Sequence, residues 1–318
     1  MYSRIFIFIC VITISLSFSA HAKDTLTGAM VGAYNTSGLL QQNRAVLRAA
    51  DEDVATAASL LAPVVSWASS VSHSGSDSSS FDTSANVSLS ANFTVYDGGK
   101  RSLGLEAAKF SVLATRSKLV GIEQNVLFEA VTAYLGVIRE TENVSLRENN
   151  LSVIREELRA ANDRFEVGEI TKTDVALAEA RLAASNSALA VAKGSYVKAV
   201  ASYISAIGEK PGSLEYPNFD PEVPNSLESA IAIALTEHPS IDELKNLVKV
   251  SEINSKIADL STSFTISLGS SVSLDEEGET SGNLSVSASG PIFSGGKLYS
   301  SSRKKIALNE QVLARLYS

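Results

Sequence analysis

Arg164-Phe165-Glu166-Val167-Gly168-Glu169-Ile170-Thr171-Lys172-Thr173-Asp174-Val175 is the stretch on which the fold turns. It joins two long proline-free segments, and its residues suit one helix stopping and another starting. Gly168 fits the left-handed position that ends a helix. Thr171 or Thr173 can cap the next helix, and Asp174 follows Thr171 by three residues, the spacing of a capping box. The twelve residues read as the tip of a helical hairpin.

Upstream, residues from about 100 to 167 lack proline and read as one helix. At 1.5 Å per residue it would be roughly 100 Å long, against about 11 residues for an ordinary globular helix. Such a helix must pack along its whole side. Leu113, Val120, Leu127 and Tyr134 recur every seven residues. Val137, Val144, Leu151, Leu158 and Phe165 do so in a register shifted by three, with Gly136 at the break. Heptads are the coiled-coil signal, and a three-residue shift overwinds the coil locally.

Downstream, the returning helix runs to about Ile207. Val175, Leu182, Leu189, Tyr196 and Tyr203 hold one heptad position; Ala178, Ser185, Ala192, Ala199 and Ala206 hold the other. Large alternates with small, so a neighbouring helix can approach closely. A further helix, about Leu39 to Leu61, stacked end to end with this one, would match the length of the long helix. Taken alone, this pattern also fits a soluble coiled-coil hairpin.

Two hairpins of strands flank the helices. From Asn86 to Val95 the chain alternates strictly: Val87, Leu89, Ala91, Phe93 and Val95 point one way, Asn86, Ser88, Ser90, Asn92 and Thr94 the other. The pattern returns from Asn283, with Leu284, Val286, Ala288 and Ile292 on the apolar side. Their partners are a blurrier Val64 to Ser74, and a run with Phe264, Ile266, Leu268, Val272 and Leu274 on one face. The polar stretches Gly75 to Ser80 and Asp275 to Gly282 read as loops. The alternation matches transmembrane barrel strands, and equally a soluble sheet with one wet face. If the strands enter a membrane, their number matters. The smallest membrane barrels have about eight strands, and lipid does not tolerate open sheet edges. Four strands would have to share a barrel with other copies.

The elements occur twice. Tyr96-Asp97-Gly98-Gly99-Lys100 returns as Phe293-Ser294-Gly295-Gly296-Lys297, a shift of 197, and the helix beginning near Leu26 is echoed from Leu227, a shift of 201. Pro63 stands in the first copy where Phe264 stands in the second. The first repeat spans 23–225, ending in a linker with Pro211, Pro217, Pro221 and Pro224; the second spans 226–318. The second stops 22 residues after its glycine pair, so a C-terminal truncation is expected.

Residues 1–22 read as a secretory signal peptide. Arg4 precedes an apolar run from Ile5 to Leu16, and Ala20-His21-Ala22 closes it. The run is too short to span a bilayer as a helix. The single cysteine, Cys10, lies inside that run, so the mature chain has no thiol chemistry. With a net charge of −8 and no basic cluster, nucleic acid is not expected as a partner. No enzyme signal survives. His73 and His238 lack metal-ligand neighbours, the serines lack a base, and Asp275-Glu276-Glu277 lacks calcium-loop spacing. No catalytic residue, cofactor or metal is therefore expected.

Together the features resemble the TolC family of outer-membrane efflux proteins. The resemblance is carried by Tyr96-Asp97-Gly98-Gly99-Lys100-Arg101 and, more specifically, by Arg-Phe, Val-Gly and Thr-Asp-Val in order between Arg164 and Val175. It implies an α+β membrane protein with long coiled-coil helical hairpins and four transmembrane strands per chain, shared in a trimeric 12-stranded β-barrel. It implies an outer-membrane location extending into the periplasm, as the duct of a tripartite efflux or type I secretion system. The implied partners are two identical copies, a periplasmic adaptor (membrane fusion) protein, an inner-membrane transporter and outer-membrane lipid. By position, Val167, Gly168, Glu169, Ile170 and Thr171 fall on the adaptor-binding tip, and Thr173 and Asp174 match closing contacts. Val87, Leu89, Phe93, Leu284, Val286 and Ile292 would face lipid. A structural coiled-coil surface protein and a nonfunctional truncated relative remain open at this level.

Overall fold

The computed structural model describes residues 25–76, 79–218 and 221–317; the signal-peptide reading of 1–22 lies outside them. In chain order the elements are α1 (Leu26–Thr36), α2 (Gly38–Ser59), β1 (Val64–Ser76), β2 (Ser79–Tyr96), α3 (Lys100–Glu166) and α4 (Lys172–Ile207). There follow α5 (Leu227–Glu237), α6 (Pro239–Asp259), a short 3-10 turn (Leu260–Thr262), β3 (Thr265–Asp275), β4 (Thr280–Ser289) and α7 (Lys297–Tyr317). The order helix, strand, strand, helix thus occurs as α2–β1–β2–α3 and as α6–β3–β4–α7.

The chain forms two compact units. In the helical unit, which includes Val126–Pro221 and the residues up to Ser37, the core mixes alanines with larger side chains such as Tyr134, Val137, Leu151 and Tyr203. Ala29 and Ala33 of α1 and Ala130, Ala133 and Ala192 are buried. Gly32 lets α1 approach α4: a β-carbon there would meet Ile207 Cγ2 at 3.2 Å. Thr36 Oγ1 donates to the Ile207 carbonyl at 2.9 Å, satisfying an acceptor that the end of α4 leaves open. Tyr134, fully buried, donates its hydroxyl to the Glu215 carbonyl at 2.6 Å and so ties the proline-rich linker down.

Burial only partly follows the heptads. Tyr134, Val137, Leu151, Ser185, Ala192 and Tyr203 are buried, whereas Leu113, Val120 and Phe165 each keep about 40% of their surface. Ala107, Val112 and Ala114 are buried in their neighbourhood of α3 instead. The heptad count marks which face is apolar; which part of that face is covered depends on what packs there.

The sheet unit comprises Gly38–Asn125 and the residues from Glu222 onward. Its centre is a four-stranded antiparallel sheet in the order β1-β2-β3-β4. Two consecutive hairpins thus lie side by side, joined where β2 pairs with β3. The strands run further into the polar stretches than their composition suggests. Residues expected in the Gly75 to Ser80 loop belong to the ladder, Ser76 pairing with Ser79, and Thr280 pairs with Leu274. Backbone pairing, not side-chain polarity, decides where a strand ends. Among the described residues no helix is long and apolar enough to cross a membrane, which says nothing about strands.

Candidate functional site

Three features stand out: one face of the sheet, the junction leaving β2, and the tip between α3 and α4.

Residues directly opposite in a ladder share a face. Across the four strands this produces apolar rows: Trp67, Leu89 and Val272; Phe93, Leu268 and Val286; Val87 and Leu274. The opposite face carries Ser66, Ser90, Ser271 and Asn283 in one row, and Ala68, Ser88, Ser273 and Ser281 in the next. Serine hydroxyls bond across strands on that face, Ser66 to Ser90 at 2.9 Å and Ser273 to Ser281 at 2.8 Å. Among the described residues no layer covers the apolar rows: Trp67 and Leu284 are 75% exposed and Val286 73%. Leaving a large apolar side chain in water forgoes about 1.5–3 kcal/mol relative to burial. A contiguous apolar patch of this kind marks a surface made for something other than water. Among the described residues the outer edges of β1 and β4 have no strand beside them.

Of the residues expected on this face, Val87, Leu89 and Phe93 lie in β2, and Leu284 and Val286 in β4, in register with one another. Ile292 does not. β4 ends at Ser289, and Ile292 lies beyond it, fully exposed. Its place in the strand is corrected on a physical ground: Pro291 has no N–H to donate to a ladder. Phe264 likewise precedes β3, where its ring lies 5.2 Å from that of Tyr96.

The junction after β2 holds a charge clamp that sequence reasoning missed. Asp97 is buried. Its Oδ1 accepts from the Gly99 N–H at 3.0 Å, and its Oδ2 from the Arg101 N–H at 3.0 Å and Arg101 Nε at 2.9 Å. The guanidinium also donates to the Leu60 carbonyl at 2.7 Å and to the Thr94 carbonyl. One side chain therefore binds the entry to β1, the exit of β2 and the start of α3. Burial pushes the Asp97 carboxyl up, but the bonds from Arg101 and Gly99 outweigh it and hold the group below its ordinary range. Gly98 and Gly99 supply positive φ, and a β-carbon on Gly98 would meet Ser263 at 3.1 Å. The second glycine pair has the same backbone hand but Ser294 and Leu298 in place of Asp97 and Arg101, so it has no such clamp. An aspartate and an arginine four apart were a readable signal for an ion pair.

At the tip, α3 ends with Gly168 at φ +78°. The Glu169 N–H donates to the Arg164 carbonyl at 2.9 Å and the Gly168 N–H to that of Phe165 at 3.0 Å, a Schellman closure. Of the two candidate caps, Thr171 is the one used. Asp174 N–H donates to Thr171 Oγ1, and Asp174 Oδ2 accepts from the Thr171 N–H at 2.8 Å. The Thr171 hydroxyl and then its N–H hold the Asp174 carboxyl below its ordinary range. Val167 is 72% exposed, Ile170 half-buried, and Gly168, Glu169, Thr171, Thr173 and Asp174 are exposed. Glu169 pairs with Arg164 at 3.1 Å. The tip thus presents Val167 on a backbone held rigid from both sides.

For chemistry the chain offers little. Among the described residues no three histidines, cysteines or acids group as a metal site. One groove of about 530 Å³ runs along Arg139, Glu140, Asn143 and Leu146 and is open to solvent.

Comparison with known proteins agrees with this geometry. The profile of the family described as "Outer membrane efflux protein" matches residues 33–209. The Outer membrane efflux protein BepC of Brucella suis biovar 1 (strain 1330) is 34% identical over 290 residues, covering 89% of this chain. The chain spans 63% of that relative's length. Among solved structures, CusC superposes with a TM-score of 0.83 at 16% identity, over 93% of this chain and 72% of its own. The Campylobacter jejuni CmeC outer membrane channel superposes with a TM-score of 0.82 at 17% identity, over 92% and 66%. These likenesses establish the fold, an α+β architecture of long coiled helices and an antiparallel sheet.

Proposed function

The chain belongs to the outer membrane efflux protein family, and on that premise we propose that it is a subunit of an outer-membrane duct that extends into the periplasm. The duct passes drugs, small solutes or secreted polypeptides from an inner-membrane transporter to the outside, as in tripartite efflux or type I secretion. It is a conduit and not a catalyst.

One observation carries this reading: a four-stranded sheet with an uncovered apolar face, a small polar face and two edges without neighbours. In lipid every backbone group must be paired, so a sheet survives only when closed. Three copies of four strands make a 12-stranded barrel, within the range of membrane barrels. The apolar face meets outer-membrane lipid through Val87, Leu89, Phe93, Leu284 and Val286, and the serine face lines the bore. Residues 23–225 and 226–318 act as two repeats of one design, supported by their common order of elements.

Imaging the purified full-length protein tests the proposal. A threefold hollow tube with a membrane-embedded end is expected; a soluble monomer would overturn it.

Within this reading, Val167, Gly168, Glu169, Ile170 and Thr171 contact the periplasmic adaptor, and Thr173 and Asp174 make closing contacts. Exposed Val167 on a doubly capped turn supports the adaptor assignment. Gly168→Val should impair export strongly. The position needs positive φ, which costs an ordinary residue about 1–2 kcal/mol and a β-branched one more. Space is not the obstacle, because nothing lies within 4 Å of a β-carbon there. Gly168→Asn, which tolerates this backbone, should keep most activity. Equal export by both variants at normal protein levels would remove the tip from adaptor coupling.

A further inference from the structure

The chain contains two helix pairs built to one plan. In the first, α2 meets α3: Arg44 lies 4.0 Å from Glu123, and Arg101 donates to the Leu60 carbonyl. In the second, α6 meets α7: Ser251 Oγ donates to Asn309 Oδ1, and Ser302 Oγ to Asp259 Oδ1. A chain duplicated in this way has a wrong pairing close to the right one, because each helix has a near-copy of its partner. The wrong partner is also within reach. The end of α6 lies against the start of α3, where a β-carbon on Gly98 would meet Leu260 Cδ2 at 3.9 Å. The beginning of α6 lies against Gly121 of α3, where a β-carbon would meet Pro239 at 3.7 Å.

The two seams differ at the positions that touch. With the shifts of 201 and 197, Ser251, Ser255 and Asp259 of α6 stand where α2 has Ala50, Val54 and Ala58. Ser302 and Asn309 of α7 stand where α3 has Leu105 and Val112. Every one of these positions is apolar in the first copy and polar in the second. Helix pairing by itself does not demand the polarity, since the first copy does without it. Nor does stability: the Ser255 hydroxyl is enclosed with no hydrogen-bond partner among the described residues, where a valine would lose nothing.

We propose that the polar seam is a recognition key that holds α7 on α6 and stops the two copies from exchanging helices. Placed on α3 in the same register, α6 would set Ser251 against Val112 and Asp259 against Leu105. Placed on α2, α7 would set Asn309 against Ala50 and Ser302 against Ala58. Either exchange leaves hydrogen-bonding groups against apolar ones, whereas the observed pairing joins Ser251 to Asn309 and Asp259 to Ser302. Polar residues in a helix seam fix the choice of partner in this way, at some loss of stability. The inference concerns helix partners within one chain and stands whether or not the strands enter lipid.

Disulfide trapping in the full-length protein tests the key, with Cys10 the sole native cysteine. Val248→Cys with Val312→Cys reports the observed pair. Val248→Cys with Thr115→Cys reports the exchanged one, Thr115 being the counterpart of Val312 at a shift of 197. Cells are oxidised with copper phenanthroline, and linked peptides from the monomer band are quantified by mass spectrometry. In the otherwise native chain the exchanged link should be about tenfold rarer than the observed one, or more. Ser251→Ala, Ser255→Val, Asp259→Ala, Ser302→Leu and Asn309→Val together give the second seam the residues of the first, and the two links should then approach equal yield. Ala50→Ser with Val112→Asn instead adds a key to the first copy, leaves α6 and α7 untouched, and should also raise the exchanged link. If the exchanged link stays rare in both backgrounds, or is already as abundant as the observed one in the native chain, the key is overturned. If the apolar variant fails to accumulate, the second background decides: a rise upholds the key and no rise overturns it.

Discussion

Leu89→Arg is expected to eliminate the protein from the outer membrane. Leu89 lies within β2, between Trp67 and Val272 on the apolar face. An arginine on a lipid-facing strand costs about 2–4 kcal/mol near the bilayer midplane. In the proposed barrel of three copies that cost is repeated, reaching about 6–12 kcal/mol for the assembly, comparable with the whole stability of an ordinary domain. Heat-resistant trimer on a denaturing gel should vanish and the chain should accumulate in the periplasm or be degraded. Ser90→Arg, one residue along, points to the other face and should leave trimer yield nearly unchanged while altering conductance. Normal trimers from Leu89→Arg would place this face away from lipid.

Arg101→Leu is expected to cost about 1–3 kcal/mol, the range for leaving a buried acceptor without its donor, because the ion pair is only partly buried. The guanidinium serves three clients: the Asp97 carboxylate and the carbonyls of Leu60 and Thr94. Without it the buried carboxylate keeps only the N–H groups of Gly99 and residue 101. The pH dependence gives the effect a signature. Asp97 has its folded pKa held below the ordinary value, so its contribution is present above about pH 4 and lost as pH falls through the folded pKa. The difference in Tm between wild type and Arg101→Leu should therefore be widest near neutral pH and shrink in acid. A constant difference across that range would mean that the arginine acts by packing alone. The same substitution has no counterpart at the second glycine pair, where Leu298 already stands.

The places where sequence reading stopped short share a cause. Thr171 and Thr173 were equal candidates for the cap because both are threonines beside a helix start. The reciprocal bond decides: Asp174 sits three residues after Thr171, while Ala176, at that distance from Thr173, has no side chain to return one. Ile292 continued the alternation in residue type, but Pro291 cannot join a ladder. Leu113 and Val120 kept the heptad and stayed partly exposed, while Ala107 and Ala114 were buried. Periodicity reports the character of a helix face; coverage of that face depends on what packs against it.

From the sequence alone came the local elements: the 67-residue helix, the hairpin tip, the alternating strands and the doubled glycine junction. These are legible because the backbone period places side chains on faces, and because glycine and capping residues act within a few positions. The tertiary structure alone decided that β2 lies beside β3, that their rows align into one uncovered apolar face, and that Arg101 reaches back 41 residues to Leu60. Pairing between distant segments is settled by hydrogen-bond geometry and by burial of the matching face, and neither is encoded in a short window of sequence.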